Sequence, residues 1–369
     1  MTELMKASNQ WMSRPDDQRF TSLHELAAAA GASRARSRST AVSVRHLHAG
    51  PSADDPRHGL DVSIDGYETS LPTHWSFGQL AGLAKAPAGY LRTLPAPIAA
   101  DAINYGLRFL REAEDVKLLV DHGEQGSMPQ LRAATGPRYG RVWNADIADA
   151  LVKRFGDGVT GDWRVPGTFG KPLDEVTKRN TTIFGSDRDM FVFLADEQNR
   201  VSMRDRRNGQ PGSLAKGFFV WNSEVGSQSI GAAFFLFDYV CSNRIVWGAT
   251  EYKEIRLRHT SSAPDRWLEE ITPVLTEYAN AAAGPVEQVI AQAQRRKVDD
   301  DLDAFLAKRF TKPVATAVKA AHEREEGRPI ETVWDAVTGV TAHAKTLTHQ
   351  DARVSLEREG GKLLDLVAA

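Results

Sequence analysis

A run of three polar residues interrupts the most hydrophobic part of this chain. Asn222, Ser223 and Glu224 follow the apolar run 218–221, and a second apolar run, 232–237, begins shortly afterwards. A carboxylate is costly to bury unless it is paired or hydrogen-bonded, and Asn and Ser side chains readily bond backbone groups in turns. The pattern therefore indicates either a turn in which Glu224 pairs with an arginine, or a polar functional site at a strand end.

Arginines and a tyrosine cluster earlier in the chain, around a predicted turn that follows a strand. Arg132, Arg138 and Arg141 supply guanidinium groups, and Tyr139 supplies a ring face and a hydroxyl. Guanidinium groups bind phosphate or carboxylate in a bidentate manner. The cluster predicts an anion or nucleotide site, or else one arginine pairs with Glu224 and the others are solvated.

A second basic group lies between two predicted strands, in the stretch 200–216. The residues that we assign there to nucleic-acid contacts are Arg204, Arg206, Arg207 and Lys216. A basic hairpin tip can follow a nucleic-acid backbone. The alternative is a solvated, flexible loop.

Patterns typical of metal sites and nucleophiles are weak. Glu251 and Lys253, with Asp238 upstream, weakly resemble the pattern of carboxylates and lysine in metal-dependent nucleases. His46 and His48 lie on one face of a predicted strand, but no third ligand accompanies them. We therefore predict no metal site.

Composition restricts the class of protein. Of the 369 residues, 41% are hydrophobic and 25% are charged, which is typical of a soluble globular chain. The net charge of −2 gives no global attraction to nucleic acid or anionic membrane, so such a partner needs a local basic patch. The single cysteine, Cys241, favours an intracellular location. No apolar run approaches the ~20 residues of a membrane helix, so we predict a cytoplasmic protein with no membrane partner.

Hydrophobic periodicity divides the chain into three predicted regions. We expect a helix and a hairpin in residues 1–70, an α+β core in 71–262, and a helical region in 263–369. The run 230–240 is apolar on both faces, which is typical of a central strand covered on both sides. The predicted fold is α+β: a curved, mainly antiparallel sheet with helices packed on one face, plus a C-terminal helical region.

The first predicted helix spans 22–30 and ends at Gly31. Together with the arginines that follow, the stretch 23–40 superficially resembles a helix-turn-helix motif. Ser37 and Thr40 occupy positions that should be apolar in a second helix, so we reject that motif.

Several segments together resemble the domain of unknown function 932 family. They include GFFVWNSEVGSQS, VCSNRIVWG, SDRDMFVFLAD, LRAATGPRYGRVWNADI and HWSFGQLAGLAKAPAGYLRTLP, and the resemblance covers roughly residues 70–260. Members are often carried on phages, plasmids and integrated elements, which implies DNA metabolism of mobile elements by association. The resemblance brings together polar residues of several predicted strands, which favours a functional use of the Asn-Ser-Glu stretch.

The first functional hypothesis is a non-enzymatic DNA-binding protein of mobile elements, without a cofactor. It would bind single-stranded rather than double-stranded DNA, in annealing, replication or recombination, and a homo-oligomer is compatible with that function. The arginines of both clusters and Lys216 would contact phosphates, while Tyr139 and Trp221 would stack on bases. The residues that would organise this site are Asn222, Ser223, Glu224 and Asn243.

Two other hypotheses belong to different classes. In the second, the chain is a metal-dependent enzyme for phosphodiesters or nucleotides, with Glu224 as general base or Mg²⁺ ligand and His259 as its partner. In the third, it is an assembly or host-interaction protein whose C-terminal helices form the interface. Truncation after residue 262 should then abolish oligomers and leave the core folded.

Overall fold

The computed structural model describes residues 14–65, 69–110, 114–124, 126–166, 175–206, 210–238, 243–245, 255–281, 284–298, 301–347 and 350–367. The strands are β1 (Arg19–Phe20), β2 (Ser37–Ser43), β3 (Leu47–Pro51), β4 (Leu60–Ile64), β5 (Thr69–Pro72), β6 (Asp115–Asp121), β7 (Gln130–Thr135), β8 (Trp163–Arg164), β9 (Ile183–Gly185), β10 (Met190–Asp196), β11 (Val201–Arg206), β12 (Gln210–Asn222), β13 (Ile230–Asp238), β14 (Asn243–Ile245) and β15 (Ile255–Leu257).

The helices are α1 (Leu23–Arg36), α2 (His74–Leu83), α3 (Ala88–Leu91), α4 (Ala96–Tyr105), α5 (Asn144–Phe155), α6 (Ala263–Arg266), α7 (Thr272–Asn280), α8 (Gly284–Arg295), α9 (Leu302–Ala307), α10 (Lys312–Glu326), α11 (Val333–Lys345) and α12 (Gln350–Lys362). A π-helical turn, Gly106–Leu110, continues α4, and another, Trp267–Ile271, joins α6 to α7. Within the described part of the chain, no helix combines the length and apolar character needed to cross a bilayer.

Six strands form one sheet, which we call the N-terminal sheet, in the order β2-β6-β7-β5-β4-β3. Its neighbouring strands are antiparallel except β5 and β7, which run parallel with Leu71 opposite Gln130. Helices α2 and α4 pack on one face through a core that includes Leu80, Ile103 and Leu118. This sheet therefore carries its own layer of helices.

Nine strands form the second sheet, the central sheet, in the order β1-β9-β10-β12-β13-β14, with β8, β11 and β15 attached to β10, β12 and β13. Its pairs are antiparallel. Phe234 of β13 packs into the core beneath α1, α5 and α7, while Phe235 packs into an aromatic layer on the opposite face with Phe219 and Trp221. The prediction that this run is a central strand covered on both sides is confirmed.

The C-terminal helices pack on one end of the central sheet. Val201, Leu214 and Leu236 of strands β11 to β13 share a core with Val318 and Trp334 of the helices. The predicted α+β class, the curved and mainly antiparallel strands and the C-terminal helical region are all confirmed. The structure differs in dividing the described strands between two sheets rather than one.

The prediction that helix α1 ends at Gly31 is wrong, because the helix continues to Arg36. Ser22 caps it, because its hydroxyl accepts a hydrogen bond from the Glu25 amide at 3.1 Å. Glycine inside a helix costs only about 1 kcal/mol relative to alanine, a cost that this cap and the alanine-rich sequence offset. Ser37 then begins β2, so no second helix follows and rejection of the helix-turn-helix motif is confirmed.

Candidate functional site

The Asn-Ser-Glu stretch lies in a turn between β12 and β13, residues 222–228, which we call the joint turn because it contacts both sheets. The Glu224 carboxylate accepts hydrogen bonds from the Arg132 guanidinium at 2.9 Å and from the Asn144 backbone amide at 2.8 Å. Arg132 and Glu224 are each 4% exposed. The carboxylate is thus buried, paired and bonded through both oxygens, as the first of the two sequence readings describes.

Arg132 connects four parts of the fold. One terminal nitrogen donates to the hydroxyls of Ser33 at 3.2 Å and Ser37 at 3.5 Å, in α1 and at the start of β2. The other donates to the Asp187 carbonyl at 3.0 Å as well as to Glu224. A buried guanidinium is stable only with such partners, so the pair fixes the N-terminal sheet against the central sheet.

Asn222 and Ser223 bond the segments beside the turn. The Asn222 amide nitrogen donates to the Val142 carbonyl and to the Asn144 side-chain oxygen, both at 2.8 Å. The Ser223 hydroxyl donates to the Arg188 carbonyl at 2.7 Å. Both side chains are fully buried, so they organise the backbone around them rather than face an open site.

The tip of the joint turn holds helix α2. The Val225 carbonyl accepts hydrogen bonds from the Trp75 indole at 2.9 Å and from the Gln79 amide at 2.8 Å. Gly226 has φ of +80°, and an added Cβ would lie 3.4 Å from the Tyr139 ring. Glycine is required here, because other residues seldom adopt this backbone conformation.

Arg141, Tyr139 and His259 form a partly buried group beside the joint turn. Arg141 donates to the Glu224 carbonyl, and burial lowers the pKa of its guanidinium. The His259 ring stacks on Tyr139 at 4.9 Å, and its Nδ1 lies 3.0 Å from the Gly140 carbonyl. Burial lowers the pKa of His259, Arg141 acts in the same direction, and the Gly140 hydrogen bond opposes them. Neither ring nitrogen bonds to Glu224, so the acid–base pair of the enzyme hypothesis is not assembled.

The predicted nucleic-acid residues are scattered. Arg138 is exposed at the tip of its turn, but Trp221 is 4% exposed within the aromatic layer. Lys216 is 3% exposed and donates to the carbonyls of Tyr278 and Ala281 at 3.3 and 2.5 Å. Neither Lys216 nor Trp221 offers a surface to nucleic acid in this fold, because β12 is covered on both faces.

The remaining predicted residues can be placed only in part. The backbone of Arg204 and Arg206 lies in β11 and that of Asn243 in β14. Arg207 and the Glu251–Lys253 pattern fall outside the described residues. Within the described ranges, no three His, Cys, Asp or Glu side chains are grouped so that they could hold a metal ion.

A cavity of about 340 Å³ opens beside the Arg132–Glu224 pair, and we call it the acidic cavity. The charged residues in its wall are Asp17, Arg36, Asp121, Arg132, Asp187 and Glu224. Carboxylates outnumber guanidinium groups, and Arg36 and Arg132 are already paired with Asp121 and Glu224. The excess of negative charge disfavours an anionic ligand here.

A larger groove of about 600 Å³, the helical groove, lies on the other side of the joint turn. Its lining residues are His74, Trp75, Gly78, Gln79, Gly82, Ala86, Ala88, Gly89, Arg92 and Arg188. This lining contains two arginines, a histidine and an indole ring, and it contains no carboxylate. A Cβ added to Gly82 or Gly89 would have no atom within 4 Å. The backbone at these two glycines is therefore open to a ligand.

Arg188 is the residue that most clearly points to a ligand in the helical groove. Its guanidinium lies 4.4 Å from the centre of the Trp75 ring. No carboxylate of the described residues pairs with it, and its Nε is buried without a hydrogen-bond partner. Its own carbonyl accepts from Ser223 and from Ser227, the latter at 3.3 Å. The joint turn thus positions both Arg188 and Trp75.

Sequence reasoning missed the helical groove, although one signal was present. His74, Gly78 and Gly82 are spaced four residues apart, which places them on one face of α2. Arg188 comes from the loop between β9 and β10, over 100 residues later. That distance hides the convergence of the two segments in the sequence.

Comparison with known proteins gives one family. Residues 178–361 match the model of the family described as Domain of unknown function (DUF932). No curated protein and no solved structure matches the chain. The matched range includes Arg188, the joint turn and most of the C-terminal helices, whereas the resemblance read from the sequence was placed at roughly 70–260.

Proposed function

This chain belongs to the DUF932 family through residues 178–361, and we propose that it binds single-stranded nucleic acid in the helical groove. The observation that carries the proposal is the lining of that groove, where Arg188 lies over the Trp75 ring and Arg92 and His74 line the same groove without any carboxylate. Cations beside an aromatic face are the combination that proteins use for single strands.

The groove matches the two parts of a nucleotide. Trp75 is partly buried and Arg188 lies over its ring, so an unpaired base would stack on the exposed part of the Trp75–Arg188 pair, whereas the bases of a duplex are already stacked on one another. Arg92 and Arg188 supply guanidinium groups for phosphate oxygens, which they can contact in a bidentate manner. The open glycine positions let a sugar or phosphate approach the backbone of α2 and α3.

The small number of cations sets an expected salt dependence. For single strands, log K falls with log salt concentration by about 0.7 per phosphate contacted. Two arginine contacts therefore give a slope of about −1.4. A chain with a net charge of −2 adds little long-range attraction. Moderate, salt-sensitive binding is the expected behaviour.

The proposal also includes a role in the replication or recombination of mobile elements.

Fluorescence anisotropy with a labelled 16-nucleotide oligo-dT, at several salt concentrations, tests the proposal. The double variant Arg92→Ala/Arg188→Ala should bind at least roughly tenfold more weakly, since hydrogen bonds to charged groups contribute about 1.5–3 kcal/mol each. Its salt slope should be shallower than that of the wild-type chain by about 1.4. Arg309→Ala, which removes an exposed arginine between α9 and α10, is the matched control. Equal affinities for the double variant and this control would overturn the proposal.

The same assay tests the sequence-based assignment of the second basic group. Charge reversal at Arg206 and Arg207 weakens binding if those residues also contact the strand. If it leaves binding unchanged, the contacts are confined to the helical groove and its surroundings.

A further inference from the structure

Exposed aromatic residues are concentrated on the helices that cover the N-terminal sheet. Within the described part of the chain, the strongly exposed large hydrophobic residues are Tyr90, Ile98, Tyr105, Phe109, Met128 and Leu268. Four of these six lie in residues 88–110, on the same helical layer as the groove. Phe109 is 70% exposed and Tyr105 is 58% exposed, and their ring centres are 5.2 Å apart at an angle of 45°.

This aromatic pair is held next to the end of α2. Gly106, which follows Tyr105, lies so close to Ala84 that an added Cβ would come within 2.1 Å of the Ala84 carbonyl oxygen. Ala84 is the residue directly after α2, and its neighbours Gly82 and Ala86 line the helical groove. The contact therefore places the backbone between Tyr105 and Phe109 beside one end of the groove.

Basic side chains accompany the two rings. Arg108 is exposed, and one of its terminal nitrogens lies 3.2 Å from Nδ1 of His48. Arg45 donates to the Leu107 carbonyl at 3.0 Å. A carboxylate, Asp65, lies 3.7 Å from the far side of the His48 ring. Arg108 is thus an exposed cation between the two aromatic residues in the chain, and Arg45 contacts the backbone between them.

We infer that Tyr105 and Phe109 form a second stacking platform for the strand that occupies the helical groove, an inference that rests on the proposed function. Two rings cover far less than the ~800 Å² per partner of a stable protein interface, and the exposed Arg108 stands between them in the chain. Rings that leave a face open beside guanidinium groups suit unpaired bases with their phosphates. The site as a whole then takes a strand longer than the groove alone can hold.

Oligonucleotide length separates this inference from the proposed function. Anisotropy titrations would compare 4-nucleotide and 16-nucleotide oligo-dT with the wild-type chain, Tyr105→Ala/Phe109→Ala and Ile98→Ala. Ile98 is a matched control, because it is 54% exposed on the same helix but is not aromatic. The aromatic double variant should bind the longer oligonucleotide roughly tenfold more weakly, and its affinity for the shorter one should be unchanged.

Each other outcome gives a decision. If the double variant binds the 16-nucleotide strand as the wild-type chain does, the platform is wrong. Binding in the helical groove is then still tested separately by Arg92→Ala/Arg188→Ala. If the wild-type chain binds neither oligonucleotide, the proposed function fails and the platform with it. If light scattering shows that the double variant loses self-association while DNA binding is unchanged, the rings serve a second copy of the chain, and the inference is overturned.

Discussion

Glu224 stabilises the joint between the sheets through its buried ion pair with Arg132. We predict that Glu224→Gln lowers the free energy of unfolding by about 3–5 kcal/mol, because it leaves a buried guanidinium without its counter-charge. Chemical denaturation followed by tryptophan fluorescence measures this. Glu270→Gln breaks the exposed Arg266–Glu270 pair and should have a much smaller effect. An unchanged unfolding midpoint for Glu224→Gln would show that the pair does not join the sheets.

His259 gives the fold a pH dependence of defined sign. Burial and Arg141 lower its pKa in the folded chain below the ordinary value of 6.5, so the unfolded chain binds the proton more readily. The stabilisation is complete above about pH 6.5 and is lost as the pH falls through the lower folded-state pKa. His259→Gln should therefore make the decline of stability between pH 7 and pH 5 shallower, as measured by denaturation at each pH.

His343 makes a separate contribution to the same titration. Burial and Arg324 lower its pKa as well, so His343→Gln should remove a separate part of the same decline. A pH profile of His259→Gln that coincides with the wild-type profile would contradict the role given to His259.

Part of this chemistry could be predicted from the sequence. That Glu224 pairs with an arginine was one of two open readings, and it is the arrangement that the fold contains. Which arginine does so could not be read, because Arg132 lies 92 residues earlier on a different sheet. Trp75 and Arg188 were missed for the same reason, since each is unremarkable until the joint turn brings them together.

The joint turn is the element on which both the fold and the helical groove depend. Gly226→Ala should cost about 1–2 kcal/mol, because φ of +80° is unfavourable for any residue with a Cβ. Thermal unfolding by circular dichroism measures this. The helical Gly31 is the matched control, because Gly31→Ala should stabilise the chain by about 0.5–1 kcal/mol. If Gly226→Ala leaves the stability unchanged or raises it, as Gly31→Ala should, the turn does not require its glycine.

Periodicity predicted most elements, but not how they assemble. The strand β13 lies close to its predicted position, 230–240, because its apolar run is a strong local pattern. The parallel pairing of β5 with β7 and the division into two sheets depend on contacts between distant segments. No local pattern encodes them. The helix end predicted at Gly31 is wrong because a helix tolerates a single glycine when its cap and its other residues favour it.

At the scale of the whole molecule, the C-terminal helices are part of the fold rather than an appendage. Trp267, Ile271 and Leu275 pack against the central sheet, and later helices bury Leu214 and Leu236. Truncation after residue 262 should therefore abolish cooperative unfolding, contrary to the expectation that the core stays folded. Urea denaturation of the truncated chain measures this, and a single cooperative transition would contradict it.

The most direct test of the central claim fills the helical groove without disturbing the fold. Gly82 lies in α2 with no atom within 4 Å of its Cβ position, so the Gly82→Leu side chain begins in open space at the wall of the groove. Gly31→Leu makes the same change in α1, away from the groove. Anisotropy with a labelled 16-nucleotide oligo-dT should show at least roughly tenfold weaker binding for Gly82→Leu. Gly31→Leu should bind as the wild-type chain does. If Gly82→Leu binds as tightly as Gly31→Leu, the strand does not occupy the helical groove and the claim is wrong.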